Sequence, residues 1–312
     1  MRDSMHALRI HARAGPEALI YEPAEVPEPG IGDVLVRVGA ASFTPTELSW
    51  PSTWVDRAGR DRTPVIPGHE VCGTVAALGD GTTGWDVGDA VFGLTDWYRD
   101  GTLAEYVAVE ARNLAAKPGG FADVEAAACA MPALTSMQAL FTHGGLAPRQ
   151  TVLVQGAGGG VGTAAIQLAR AADAIVLASA RSSARDLVLE LGAHEFIDAD
   201  QASVATAATG VDLVFDLVGG DVLGRAWPLV RAGGTVVSVV EDPAARPEAR
   251  KDAGAAYFVV EANGAMLAEL AAQMDAGQLR PVVGAVRPLA DGPEAFASKQ
   301  AGNVPGKIVL HS

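Results

Sequence analysis

An apolar strand that runs directly into a glycine-rich turn constrains the fold of this chain more than any other feature. Residues 151–155 (Thr-Val-Leu-Val-Gln) have the pattern of a buried strand, and residues 162–172 have that of an amphipathic helix. Glycine between them allows a sharp turn and a close approach to a ligand, and the N–H groups that begin the helix attract negative charge. We therefore predict a cradle for the pyrophosphate of a dinucleotide, formed by Gly156, Ala157, Gly158, Gly159, Gly160, Val161 and Gly162.

The turn departs from the strict G-x-G-x-x-G pattern at its first key position. Ala157 stands there, ahead of Gly159 and Gly162. Glycine-rich turns after strands also occur where they only allow a helix to pack closely against a strand. The choice between a dinucleotide-binding turn and such a structural turn therefore depends on the residues downstream.

The second predicted strand, residues 174–180, ends without an acidic residue. A site that prefers NAD usually places Asp or Glu there, against the ribose 2′-hydroxyl. Ser179, Arg181 and Ser182 instead offer two hydroxyls and a guanidinium, which suit a 2′-phosphate because arginine forms bidentate, charge-assisted bonds to phosphate oxygens. We predict NADP(H) rather than NAD(H); the alternative is that Arg181 belongs to a solvated helix start.

The composition is that of a folded, acidic protein. With 312 residues, 49% hydrophobic and 19% charged, the chain is long enough to bury two cores. A net charge of −14 argues against nucleic acid or an anionic membrane as partner, because both bind basic surfaces. Only Cys72 and Cys129 are present, so no disulfide framework is expected. Together with an N-terminal segment that has no apolar signal core, this predicts a cytoplasmic protein.

The segment 126–148 lacks Asp, Glu, Lys and Arg and is long enough to raise the question of a membrane span. Pro132, Gln138 and Gly144 interrupt it. We therefore expect a buried helix of a soluble domain.

The first third of the chain is predicted to be all β. Short strands separated by turns rich in glycine and proline are expected at 6–11, 34–40, 70–78, 90–94 and 104–109. Two helices are expected next, at 123–129 and 134–143.

From residue 151 onward, predicted strands and helices alternate, which specifies a parallel, doubly wound sheet. Further strands are expected at 174–180, 195–197, 212–216, 234–240 and, at the edge, 257–260. Further helices are expected at 184–191, 221–230 and 265–276. The remaining segments, at 282–289, 292–300 and 307–311, are expected to rejoin the β domain. The predicted fold class is thus α/β, with a Rossmann domain (122–262) and an all-β domain (1–121 and 263–312).

Short motifs across nearly the whole chain agree with this arrangement. They stand at residues 15–17 (Gly-Pro-Glu), 67–73 (Pro-Gly-His-Glu-Val-Cys-Gly), 88–93 (Gly-Asp-Ala-Val-Phe-Gly), 101–106 (Gly-Thr-Leu-Ala-Glu-Tyr), 158–162, 191–193 (Leu-Gly-Ala) and 306–310 (Gly-Lys-Ile-Val-Leu). In content and order they resemble the medium-chain dehydrogenase/reductase superfamily, and the chain is similar to its zinc-independent quinone oxidoreductase branch, which includes enone and enoyl reductases. The resemblance implies a GroES-like β domain beside the Rossmann domain.

The choice of branch depends on metal ligands. Zinc-dependent alcohol dehydrogenases hold catalytic zinc by Cys, His and a second Cys or His, and the corresponding positions here resemble Thr44, His69 and Met131. Threonine and methionine are poor zinc ligands, so we predict no catalytic metal site. Cys72 and Cys129 lie near the motif in sequence, and their approach to His69 is the open alternative.

The chemistry left without zinc is hydride transfer from a nicotinamide to an acceptor that spreads its negative charge, a quinone or an α,β-unsaturated carbonyl compound. We predict Thr44 as a hydrogen-bond donor to the nicotinamide ribose or the developing oxyanion; the alternative is a turn residue ahead of Pro45. Tyr98, His69 and water are the alternative proton donors. A flat substrate would contact the aromatic loops that carry Trp50, Trp54, Trp97 and Tyr98, whose alternative role is packing.

The resemblance adds further cofactor contacts and an oligomeric state. It implies a nicotinamide pocket lined by Val239, Phe258, Val259 and Val260, with Val240 beside them, for which ordinary core packing is the alternative. Lys307 is expected to reach the cofactor phosphates or to cap the final strand. The edge strand near Val259 implies a homodimer.

Three other functions remain open on the sequence. A zinc-type alcohol dehydrogenase with unusual ligands would contain stoichiometric zinc. A non-catalytic NADPH-binding or sensor protein would bind the cofactor without turnover. A methyltransferase that binds S-adenosylmethionine at the glycine turn is less favoured, because its ribose also tends to require an acid after the second strand.

Overall fold

The computed structural model describes residues 4–200, 208–302 and 304–312. The chain forms two compact units. The first contains the described residues up to Met131, together with Ala262–Ala276 and the described part of Pro281–Ser312; the second contains those of Pro132–Glu261 and Gly277–Arg280. The sequence placed the two domain boundaries after residues 121 and 262.

The first unit begins with seven strands: β1 (Ser4–Arg9), β2 (Ile20–Glu25), β3 (Asp33–Ser42), β4 (Glu70–Leu78), β5 (Ala90–Leu94), β6 (Tyr106–Glu110) and β7 (Leu114–Ala116). The first helix, α1 (Pro51–Trp54), lies between β3 and β4, and α2 (Asp123–Met137) follows β7 and continues into a π-helical turn, Gln138–His143.

The second unit then alternates strands and helices: β8 (Thr151–Gln155), α3 (Gly160–Ala171), β9 (Ile175–Ala180), α4 (Arg185–Glu190), β10 (Glu195–Asp198), β11 (Val211–Asp216), α5 (Gly220–Gly224), β12 (Val230–Ser238) and β13 (Gly254–Tyr257). The chain returns to the first unit with α6 (Gly264–Asp275), β14 (Val283–Pro288), α7 (Gly292–Gln300) and β15 (Lys307–His311). Short 3-10 helices lie at Pro16–Ala18, Glu47–Ser49, Ala111–Asn113, Ser182–Ala184, Pro243–Ala245 and Leu289–Asp291.

The first unit is built on a seven-stranded sheet in the order β14-β15-β3-β4-β5-β7, with β6 also paired to β3. The C-terminal strand β15 pairs antiparallel with β3, so the last segment rejoins the β domain as predicted. The hydrophobic core of the first unit includes the stacked rings of Phe43 and Phe296, with centroids 3.9 Å apart.

The second unit contains a six-stranded sheet in the order β10-β9-β8-β11-β12-β13, in which all described pairs are parallel. This is the order of a doubly wound dinucleotide-binding fold, and the strand order reverses between β8 and β11. The predicted fold class is confirmed.

The apolar segment at 126–148 lies largely in a single helix, not in two. Pro132 was expected to separate two helices, but α2 continues through it, and the Ser136 hydroxyl donates to the Pro132 carbonyl oxygen at 2.8 Å. The stretch Asp123–His143 is long and apolar enough to cross a membrane, yet 83% of the residues in its apolar 18-residue window are buried within the protein. Tertiary packing therefore overrides the helix-breaking tendency of proline.

Two other element predictions were wrong. The helix expected at 221–230 ends at Gly224; turns follow it, and β12 already begins at Val230, where the Arg250 guanidinium donates to the carbonyl oxygens of Trp227 and Val230. The edge strand expected at 257–260 lies earlier in the chain: it runs from Gly254 to Tyr257, and these four residues pair with β12 up to its last residue, Ser238.

Candidate active site

The glycine-rich turn lies between β8 and α3, at the carboxyl end of the sheet. Gly156 has a φ of +80°, and the N–H groups of Gly156 and Ala157 both donate to the Ser179 carbonyl oxygen at 3.0 Å. A Cβ on Gly162 would lie 2.5 Å from the Ala157 Cα, so the contact between turn and helix requires glycine. No described side chain caps α3 at Gly159, which leaves its first-turn N–H groups for an anionic ligand. The residues of the turn and the first turn of α3 therefore fit the pyrophosphate of a dinucleotide.

The predicted 2′-phosphate contacts lie at the end of the neighbouring strand. Ser179 is buried in β9, while Arg181 and Ser182 are exposed directly after it. The stretch 174–185 contains no acidic residue, so nothing in it would repel a phosphate.

The predicted nicotinamide-pocket residues have different environments. Val239 follows the end of β12 and is half-buried. Phe258 is buried and stacks on the His143 ring, with centroids 4.3 Å apart. Val260 is buried, whereas Val259 is 56% exposed.

In the first unit, Glu47 joins the two segments that carry Thr44 and His69. Its carboxyl group is fully buried and accepts hydrogen bonds from the backbone N–H of Thr44 at 3.1 Å and of Gly68 at 2.9 Å. Burial raises the pKa of Glu47 to about 8. The residue was not predicted from the sequence, and it holds the backbone of Thr44 next to the loop that precedes His69.

Thr44 itself is half-buried, and its hydroxyl donates weakly to the Met131 sulfur at 3.6 Å. Sulfur is a weak acceptor, so the hydroxyl remains available to bind a stronger one. This is the behaviour expected of a group that donates to a ligand.

His69 is 3% exposed, and its Nδ1 has no hydrogen-bond partner among the described residues. Burial lowers the pKa of His69 to about 3, and the positive charges of Arg62 and Lys307 act in the same direction. The ring is therefore neutral at physiological pH. It can donate an N–H hydrogen bond, but a neutral imidazole is a much weaker acid than an imidazolium, which disfavours the prediction of His69 as a proton donor.

The aromatic loops meet at this histidine. The Trp50 ring stacks on His69 at 5.9 Å, the Trp97 ring lies 4.5 Å from His69, and the two indoles are 5.6 Å apart, edge to face. Tyr98 is 39% exposed, with the Arg57 guanidinium 5.8 Å from its ring centre. The predicted substrate residues Trp50 and Trp97 are thus brought together.

Trp54 corrects the aromatic prediction. It is only 4% exposed within the hydrophobic core, and its Nε1 donates to the Leu48 carbonyl oxygen at 2.9 Å. Because its ring is buried and its Nε1 is already hydrogen-bonded, Trp54 is not available to contact a substrate.

Lys307 is a second correction. It was expected to reach the cofactor phosphates, but its Nζ donates to Glu70 Oε2 and to the Phe43 carbonyl oxygen, both at 2.6 Å. The Lys307 side chain is 8% exposed and that of Glu70 is fully buried. The buried carboxylate requires this cation, so the ammonium is not available to a phosphate.

The potential metal ligands are not assembled. Among the described residues, no group of three His, Cys, Asp or Glu side chains is placed to hold a metal ion. Cys72 and Cys129 are both buried thiols; burial raises the pKa of both, that of Cys129 to about 12.

Two sequence-family models match the chain. The alcohol dehydrogenase GroES-like domain matches residues 30–119, and the zinc-binding dehydrogenase model matches residues 191–310. The first covers strands β3 to β7, and the second covers the end of the second unit and the return to the first.

Curated relatives match over most of their length. The chain is 32% identical over 302 residues to 2-methylene-furan-3-one reductase from Solanum lycopersicum, covering 92% of this chain and 73% of the relative. It is 30% identical over 324 residues to quinone oxidoreductase from Lama guanicoe, covering 98% and 97%. The solved structure of the quinone oxidoreductase from Coxiella burnetii superposes with a TM-score of 0.92 at 27% identity, covering 99% of both chains.

The fold, the glycine turn and these relatives define an oxidoreductase whose dehydrogenase fold supports a nicotinamide cofactor. The chain belongs to the medium-chain dehydrogenase/reductase superfamily, in its quinone oxidoreductase-like branch. The resemblance found in the sequence is confirmed.

Proposed function

We propose that this protein is an NADPH-dependent, zinc-independent oxidoreductase that reduces quinones or α,β-unsaturated carbonyl compounds. The observation that carries the proposal is the glycine turn with a positively charged, acid-free strand end beside it. The turn offers uncapped N–H groups to a pyrophosphate, and Arg181 with Ser182 offers donors to a 2′-phosphate.

A bound NADPH supplies a hydride to the acceptor, and the acceptor then takes up a proton. The chain holds the cofactor through the turn at Gly156. The Thr44 hydroxyl is a donor for the acceptor oxygen on which negative charge develops. The neutral ring of His69 contributes an N–H donor and an apolar face. Unlike an imidazolium, it brings no positive charge to the site.

The acceptor class follows from the aromatic groups. The rings of Trp50, His69 and Trp97 offer flat, polarisable surface, which favours a planar conjugated acceptor over an aliphatic alcohol. The names of the similar proteins, a quinone oxidoreductase and a furanone reductase, support the same acceptor class.

The donor atoms of Thr44 and Met131 support zinc independence. A hydroxyl and a thioether, from Thr44 and Met131, lie 3.6 Å apart at two of the three positions where the family's zinc enzymes have ligands. Neither is a good ligand for Zn²⁺, so the pair is unlike a catalytic zinc site.

The cofactor part of the proposal is tested by Arg181→Ala. Charge-assisted hydrogen bonds contribute roughly 1.5–3 kcal/mol, so KM for NADPH should rise about 10- to 150-fold while KM for NADH stays unchanged. The matched control is Arg287→Ala, which removes an exposed arginine of β14 and should alter neither KM. Equal effects of Arg181→Ala on both cofactors would contradict the proposed preference for NADPH.

We further propose that the protein is a homodimer that pairs along β13. This strand is at the edge of the six-stranded sheet; its last residue, Tyr257, is 48% exposed, and Val259, which follows the strand, is 56% exposed. Light scattering should give twice the chain mass for the wild type. Val259→Lys should shift the mass toward the monomer, and a monomeric wild type would refute the proposal.

A further inference from the structure

Four buried polar side chains lie in one row across the sheet of the second unit. Gln155 of β8 is paired in register with Ser179 of β9 and with Asp216 of β11, and Asp216 is paired with Ser238 of β12. All four are less than 5% exposed. The row runs along the carboxyl ends of the four central strands, which is the edge where ligands bind in open parallel sheets.

Asp216 connects the two loops that leave β11 and β12. Its carboxylate accepts hydrogen bonds from the backbone N–H groups of Val218 at 3.2 Å and Gly219 at 3.1 Å, and from the Ser238 hydroxyl at 2.8 Å. The Ser238 oxygen in turn accepts from the Val240 N–H at 3.1 Å. One buried side chain therefore fixes both loops.

A second link ties the same loops closer to solvent. The Glu241 carboxylate accepts a hydrogen bond from the Gly220 N–H at 2.6 Å. Gly219 has a φ of +76°, and a Cβ there would lie 2.7 Å from the Val240 Cγ1. The two loops are thus packed together as well as hydrogen-bonded.

Each loop presents one exposed apolar side chain, and that of Val218 lies beside the glycine turn. Val218 and Val240 are each 48% exposed, which is high for valine at the end of a buried strand. A Cβ on Gly156 would lie 3.2 Å from the Val218 Cγ2 and 3.1 Å from the Leu217 Cβ. Val218 therefore borders the turn, and Val240 borders the loop that carries Val218.

We propose that Asp216 is a positioning residue of the dinucleotide site, which acts through Ser238 to hold Val218 and Val240 as an apolar wall for the bound cofactor. The inference rests on the proposed function, since it needs a nicotinamide dinucleotide at the glycine turn. The wall contacts parts that NADPH and NADH share. Loss of Asp216 is therefore expected to weaken both, whereas Arg181→Ala acts on NADPH alone.

The test is Asp216→Asn, which keeps the volume of the side chain and replaces one of its two acceptor oxygens by a donor that faces other donors. Dissociation constants for NADPH and NADH are measured by quenching of protein fluorescence, with thermal denaturation in parallel. The matched control is Asp212→Asn, the same change on the same strand. Asp212 accepts from the Thr151 N–H at 2.8 Å at the amino end of the sheet.

We expect Asp216→Asn to raise both dissociation constants at least 10-fold, and Asp212→Asn to leave them within 2-fold of the wild type even if it lowers the melting temperature. Ser238→Ala removes one of the Asp216 hydrogen bonds and should raise them about 3-fold, which keeps the test valid if Asp216→Asn does not fold. Unchanged binding by the folded variants, or equal weakening by Asp212→Asn, overturns the role of Asp216. A wild type that binds neither nucleotide overturns the proposed function and this inference with it.

Discussion

Lys307→Met removes the cation from the buried pair with Glu70. In the wild type, Glu70 Oε2 accepts from Lys307 Nζ at 2.6 Å and from the Ser42 hydroxyl at 2.8 Å, while Oε1 is buried with no partner among the described residues. The variant leaves a fully buried carboxylate without its counter-ion, which typically costs about 3–5 kcal/mol. For a domain of this size, roughly 2–4 °C is lost per kcal/mol, so the melting temperature should fall by about 6–20 °C.

The double variant Glu70→Gln/Lys307→Met separates charge burial from lost packing. It removes the carboxylate together with the ammonium, and it should recover most of the lost stability, because what destabilises the single variant is the unpaired charge. Scanning calorimetry measures both variants, and NADPH titration of the folded proteins should show an unchanged dissociation constant. A melting temperature of the single variant close to that of the wild type, or no recovery in the double variant, would refute this account of the pair. Weakened NADPH binding without loss of stability would restore the phosphate role first expected for Lys307.

Three further predictions concern single sites. In Glu47→Gln, the melting temperature relative to the wild type should rise as the pH increases from about 4.5 to about 8. Native Glu47 keeps its proton across this range while the unfolded state releases it, so the wild type loses stability, whereas the glutamine of the variant does not titrate. Gly162→Ala should weaken NADPH binding at least 10-fold in a fluorescence titration, because the new Cβ would meet the Ala157 Cα at 2.5 Å. Neither Cys72 nor Cys129 should react with a thiol reagent at neutral pH in the native protein, because both thiols are buried with raised pKa values, and both should react in denaturant.

Each of these three has a distinct contrary result. A difference in melting temperature that does not change with pH would mean that Glu47 is ionised in the folded protein. Normal NADPH affinity in Gly162→Ala would mean that the turn does not carry the pyrophosphate. A thiol that reacts at once in the native protein would mean that its site opens to solvent.

Local patterns predicted much of the fold. The alternation of apolar and turn residues placed β4, β5, β8, α7 and β15 at the bounds that the structure has, because each has clear periodicity or glycine or proline near its ends. Pro132 misled the prediction for α2, since the cost of proline can be read from the sequence, whereas the packing of this helix in the interior depends on the folded protein.

The sequence predicted those parts of the candidate site that are local motifs and missed those that depend on contacts between distant residues. The glycine turn and the strand end at Arg181 are local motifs, so the sequence shows them directly. The partners of Lys307 are remote, since Glu70 lies 237 residues away along the chain, and nothing near Lys307 indicates burial of its charge. Glu47 and Asp216 were missed because an isolated acidic residue in a sequence is ordinarily exposed, and only tertiary structure shows that these two bind backbone N–H groups in the interior.

The central claim is tested most directly by the oxidation of NADPH, with NADH in parallel, against quinones and enones in the presence and absence of a zinc chelator, together with the zinc content of the purified protein. The account predicts turnover that prefers NADPH, that is insensitive to the chelator, and that occurs without stoichiometric zinc. Stoichiometric zinc with chelator-sensitive oxidation of an alcohol would contradict it in favour of a zinc-type alcohol dehydrogenase, and tight NADPH binding with no turnover of any acceptor would contradict it in favour of a sensor.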